Sequence, residues 1–224
     1  MAGSWYPGTP DVLRDEVDRH LESAEMECTG EIRAIIAPHA GLHYSGPVAA
    51  FSYKLLSGRR YDVAVLVGPS HYVGFKGVAI YERGAFETPI GRVPIAEPCA
   101  AAIAMAASSV QEHPSAHMRE HSLEMHLPFL QRVLPDTPIV PLLMGYQTRE
   151  TIQNLSKGLV AGLTGRNALL VASTDLSHYH DAATAARLDG EVIKHVQAFD
   201  AEGLLSALER FPHHACGGGP TVAV

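Results

Sequence analysis

DVAVLVGPSHY, residues 62–72, holds an apolar run from Val63 to Val67 that breaks at Gly68-Pro69 and delivers a histidine, His71, just beyond the break. A run this rich in β-branched residues, closed by turn formers, predicts a buried strand. The same order of residues occurs twice more. Ile32 to Ala37 leads into Pro38 and His39, and Ala168 to Ala172 leads into Ser173-Thr174-Asp175 and His178. In an open α/β sheet, ligands bind in the crevice at the carboxyl ends of the strands. Three strands that each present a histidine there predict one shared site.

The rest of the chain builds a sheet around those strands. Thr9-Pro10 reads as the start of a helix, with Leu13, Val17 and Leu21 as its apolar stripe. Glu31–Ala37 is expected as the first strand, residues 45–56 as a helix and Asp62–Val67 as the second strand, which makes a right-handed βαβ unit with parallel strands. Residues 76–95, with Pro89 and Gly91 between short alternating pieces, predict a small antiparallel insertion at a sheet edge. Helices follow at 97–107 and across 119–134, the latter kinked or restarted at Pro128. His113–Glu120 reads as loop. A strand at 137–144, a helix at 150–163, a strand at 168–173 and helices at 181–199 and 201–208 complete the pattern. The expectation is a single α/β domain over residues 1–224, with a mostly parallel central sheet flanked by helices. The apolar end, Thr221 to Val224, carries the further expectation that chain continues beyond it.

Composition narrows the function. Apolar residues make up 46% and charged residues 18%, as in a globular soluble protein. A net charge of -7, with no Lys/Arg cluster beyond Arg59-Arg60, argues against a nucleic-acid surface. There is no apolar run long enough to span a membrane and no signal-peptide pattern at the start, so the expected location is cytoplasmic. Cys28, Cys99 and Cys216 are far apart and fit a reducing compartment. The anomaly is the histidine content, 13 in all.

Those histidines point first to a metal. His39 and His71 would be imidazole ligands on rigid strand ends. The third ligand is either a carboxylate, Asp175 or Glu124, or the Cys216 thiolate. Two histidines and a carboxylate match non-haem Fe(II), whereas a cysteine admits copper, zinc or iron. His178 reads as a general acid/base oriented by Asp175, against the simpler reading of Asp175 as a helix cap. His121, Glu124 and His126 have a five-residue histidine spacing rather than the four of a zincin helix, so they read as a pocket wall that binds substrate. Cys216 as an activated nucleophile is a further reading. The glycines after it, Gly217 to Gly219, read as a tight turn or an anion nest.

Six ordered segments, AGSWYPG, IIAPHAGLHYSG, VGPSHY, HSLEMHLPFLQ, STDLSHY and ACGGGP, span almost the whole chain. Together they resemble the Memo family, whose prokaryotic members are called AmmeMemoRadiSam system protein B. The resemblance implies the fold of class III extradiol dioxygenases, which open catechol rings with non-haem Fe(II). It implies metal ligands at His39, His71 and Cys216, and an acid/base at His178 beside Asp175. The dioxygenases carry a carboxylate where Cys216 falls, so the implied activity is a redox reaction rather than established ring opening. Fe(II) is the implied cofactor, with copper or zinc as alternatives. A small-molecule substrate and a radical-SAM partner protein are the implied partners. The other expectation is a non-catalytic module whose cleft recognises a peptide or anionic ligand, as animal Memo proteins are implied to bind phosphotyrosine peptides.

Overall fold

The computed structural model describes residues 1–224. Helix α1, Pro10–Ser23, begins where Pro at the first helical position was expected, and buries Leu13, Val17 and Leu21. Each such side chain contributes ~1.5–3 kcal/mol on burial. Strand β1 (Ala34–Ala37) leads into α2 (Leu42–Lys54). This helix starts three residues before Ser45, so Pro47 lies inside it. The bond that Pro47 cannot make frees the carbonyl of exposed His43, which water can satisfy.

Next come β2 (Val63–Pro69), β3 (Val78–Ile80), β4 (Ala85–Thr88), β5 (Gly91–Pro94) and α3 (Glu97–Ala106). Strand β6 (Val110–Glu112) is followed by a single turn, α4 (Pro114–His117). The segment around His121 is not helical. A 3-10 turn at Glu124–His126 runs into α5 (Leu127–Val133), so Pro128 opens a helix rather than kinking one. Strand β7 (Ile139–Met144), α6 (Arg149–Gly162), β8 (Ala168–Ser173), α7 (Ala182–Gln197), α8 (Ala201–Arg210) and a short α9 (Gly218–Ala223) complete the chain. The chain turns at Cys216–Gly217, as expected of the glycines, and helix α9 begins at the next one, Gly218.

The main sheet has the order β1-β8-β2-β7-β3-β6. Strands β1, β8, β2 and β7 are parallel. Strand β3 runs antiparallel to β7 and parallel to β6. The predicted insertion divides: β3 joins the main sheet, and β4 and β5 pair with each other as a separate hairpin. Strands β1 and β2 are parallel as expected, but β8, from far along the chain, lies between them.

Alternation along β2 sorts its side chains into two cores. Ala64 and Leu66 join the layer made with α1, α2 and α5, and Val63, Val65 and Val67 join the layer with α3 and α6. Because both faces are covered, β2 and β7 are buried along their whole length. The parallel register sets Ala37 beside Ser173, Val67 beside Ala172 and Gly68 beside Leu143. Strands β1, β8, β2 and β7 thus end at one edge. No helix is long and apolar enough to cross a membrane.

Candidate metal centre

His39 follows the end of β1, and His71 follows the end of β2. With β8 between them the two backbones are separated by two strand spacings, ~10 Å. Side chains leaning in from both sides therefore meet above the end of β8, with ring centroids 5.2 Å apart. Cys216 arrives from the loop before α9. Its N–H bonds the Asp175 carbonyl, its carbonyl accepts from the Gln147 side chain at 2.6 Å, and its Sγ is 3.3 Å from His39 Nε2. The Asp175 N–H points at the same sulfur from 3.2 Å.

Two glycines make this approach possible. A Cβ on Gly217 would sit 2.0 Å from the Ser173 carbonyl, and one on Gly68 would sit 2.7 Å from Leu123 Cδ2. The Cys216 loop and the Ser122–Leu123 segment both press against the ends of central strands, and there is no room for side chains at either contact.

Two sets of side chains have ligand atoms mutually within 4.8 Å: His39, His71 and His121, and His39, Asp175 and Cys216. They share His39, which is 1% exposed. The expected ligands His39, His71 and Cys216 draw on both sets. The donor chemistry fits a transition metal, with imidazole nitrogens on one side and a thiol beside a carboxylate on the other. Burial holds His39 well below the usual imidazole range, and the neighbouring rings of His126, His71 and His121 push the same way. His39 is therefore neutral, the form that ligates. Burial also lowers His71, but hydrogen bonding to Cys216 and Glu120 outweighs it and lifts the ring to about 9.

Glu120, Ser173 and Trp5 complete the site and are not among the residues that the sequence pattern marks as ligands or pocket wall. The Glu120 carboxylate is buried and bonds both the backbone N–H of His71 and its ring Nδ1, at 2.6 and 2.8 Å. Burial alone would raise this carboxyl, yet the bonds from His71 and Ser122 bring it down to about 2. Ser173 Oγ lies 2.6 Å from His39 Nδ1. Trp5 stacks on His121 with centroids 4.1 Å apart, and His121 stacks in turn on His71 at 4.5 Å. The available signals were weak: an acid beside His121, a serine ahead of Asp175 and a lone tryptophan.

A comparison with protein families matches the Memo-like protein family over residues 1–224. The chain belongs to the Memo-like family. A MEMO1 family protein of Methanopyrus kandleri is 35% identical over 238 residues, covering 100% of this chain and 83% of that protein. One from Methanothermobacter thermautotrophicus is 34% identical over 233 residues, covering 100% and 84%. A third, from Pyrobaculum aerophilum, is 39% identical over 194 residues, covering 85% and 69%.

The remaining expected site residues of this Memo-like chain divide by position. Asp175 is at the centre: its Oδ1 accepts the His39 backbone N–H at 2.8 Å, and its Oδ2 lies 3.9 Å from both His39 Nε2 and His178 Nε2. The last distance is too long for a hydrogen bond. His178 instead stands exposed at the mouth of a cavity of about 440 Å³ lined by Tyr179, His180, Pro212, His213 and Cys216. His121 lines the candidate site itself, its ring stacked on His71. Glu124 turns away, accepting from Tyr6 Oη at 2.5 Å. His126 is closed off behind the site, 1% exposed, with Nδ1 2.8 Å from the Tyr53 hydroxyl. Its ring is kept neutral by burial, which lowers it to about 3.

Proposed function

We propose that this Memo-family protein is a non-haem metal oxidoreductase that binds Fe(II) through His39, His71 and Cys216. The observation that carries the reading is the 3.3 Å approach of Cys216 Sγ to the Nε2 of a buried, neutral His39, with His71 beside them at the shared strand edge. Three protein ligands leave coordination positions open, as a catalytic metal requires. The bound metal would supply one-electron redox chemistry at those positions.

The chain's own groups supply the rest. The cavity beside Cys216 admits a small polar molecule between His178 and His213. His178 Nε2, at the solvent boundary, is the group placed to pass a proton to or from that molecule. Trp5 backs His121, and His121 covers one face of the His71 ring, whose remaining surface stays open to solvent.

The test is metal content after anaerobic purification, wild type beside His39→Ala and Cys216→Ala. Near-stoichiometric iron, lost in both variants, supports the reading and justifies screening catechols and thiols for O₂-dependent turnover. A wild type that holds no metal and takes up neither Fe(II) nor Cu(I) refutes it, and leaves the cleft as a recognition site for a peptide or anion.

A further inference from the structure

The hydrogen bonds behind His39 and His71 determine which nitrogen each ring turns into the cleft. Ser173 Oγ lies 2.6 Å from the Ser122 carbonyl and 2.6 Å from His39 Nδ1. A hydroxyl has one proton to give, and a carbonyl can only accept. The Ser173 proton is therefore committed to Ser122, and Oγ meets His39 as an acceptor. It follows that His39 Nδ1 carries the ring proton. The lone pair is on Nε2, the atom facing Cys216.

Glu120 does the same for His71 with a full charge. Its Oε2 accepts the His71 backbone N–H at 2.6 Å. Its Oε1 accepts from His71 Nδ1 at 2.8 Å and from the N–H groups of His121 and Ser122, each at 3.0 Å. All four groups that bond this carboxylate do so as donors. His71 Nδ1 keeps its proton in either charge state of the ring, and Nε2 is the nitrogen left for the cleft. The three backbone bonds also tie the loop after β2 to the segment that carries His121, so the carboxylate is fixed before any ligand arrives.

We propose that Glu120 and Ser173 are positioning residues that hold the Nδ1 protons of His71 and His39, aim both Nε2 atoms at one point and thereby set the metal affinity of the site. This rests on the metal-binding reading above, since a metal is what the two Nε2 atoms would share. The arrangement matches a general pattern in which a ligating histidine donates its other N–H to a carboxylate or similar acceptor. It also explains why a glutamate, and not a glutamine, suits position 120. An amide places an NH₂ against an N–H donor whichever way it is turned.

The experiment uses the metal-free full chain and two variants, Glu120→Gln and Ser173→Ala, each first shown by thermal unfolding to be folded. Imidazole ¹H–¹⁵N correlation spectra report the tautomers without any metal. The expected result is one Nδ1–H tautomer for His39 in the wild type and a mixture in Ser173→Ala. Cobalt(II) titration then reads the affinity. Glu120→Gln is expected to bind about 10–100-fold more weakly, with the thiolate-to-cobalt absorption of Cys216 retained. An Nε2–H tautomer at His39 in the wild type, or variants that bind cobalt as tightly as the wild type, overturns the proposal. A wild type that takes up no cobalt but shows the expected tautomers sinks the metal reading instead, and the hydrogen-bond assignment stands.

Discussion

Acidification from pH 7 to pH 5 should destabilise the metal-free protein, and His117 allows the size of the effect to be worked out. This ring is buried, with its Nε2 unpartnered, beside a cavity of about 40 Å³ shared with Phe86, Glu120, Leu123 and Glu124. Burial lowers it to about 4, against 6.5 in the unfolded chain. Between those values the unfolded chain binds a proton that the folded protein refuses. The contribution is thus complete above pH 6.5 and is lost as pH falls towards 4. At pH 5 the loss from this one group is ~2 kcal/mol relative to pH 7. His126, lowered to about 3 by burial, acts in the same direction. His71, raised to about 9, has the opposite sign: its stabilisation is complete below pH 6.5 and fades as pH rises through 9. The assay is urea unfolding at pH 7, 6 and 5 with chelator present, wild type against His117→Gln. Glutamine is similar in size and does not titrate, so the wild type should lose ~2 kcal/mol more than the variant over this interval. Equal losses in the two proteins would show that His117 is not held neutral, and the burial argument would fail.

Four further outcomes follow from the packing. Tyr53→Phe strips the hydroxyl from His126 Nδ1 in a fully buried pair and should cost ~1–3 kcal/mol in urea unfolding. Gly217→Ala forces a Cβ against the Ser173 carbonyl and should displace Cys216, so cobalt binding should lose its thiolate absorption. Gly190→Ala in α7 meets nothing within 4 Å and should instead stabilise by ~0.5–1 kcal/mol, a contrast measured by thermal unfolding. Thr148→Ala removes the side-chain cap of α6 and should cost ~1 kcal/mol with cobalt affinity unchanged.

The sequence by itself determined the strands that matter and the residues at their ends. An apolar run closed by Gly-Pro or Ser-Thr-Asp is a local signal, because burial on both sheet faces demands continuous hydrophobicity and the break marks where the chain leaves the sheet. Strand β8 was legible to its last residue, and His39, His71 and Asp175 were placed at the carboxyl edge by the same rule. Family motifs then singled out Cys216, which no local pattern could connect to a histidine 177 positions away.

Only the tertiary structure decided the order of the strands and the roles behind the ligands. Strand β8 separates β1 from β2 because pairing is settled by which buried faces fit together, not by proximity in the chain. His121 and Glu124, expected to share one pocket wall, part company because the chain is not helical at His121. The His121 ring then stacks on His71 at the candidate site, while the Glu124 side chain bonds Tyr6. Glu120 and Ser173 carried only weak signals in the sequence, an acid beside His121 and a serine ahead of Asp175. Their importance lies in hydrogen bonds across 49 and 134 positions of sequence, and a hydrogen bond at 2.6–2.8 Å exists only once the fold has brought donor and acceptor together.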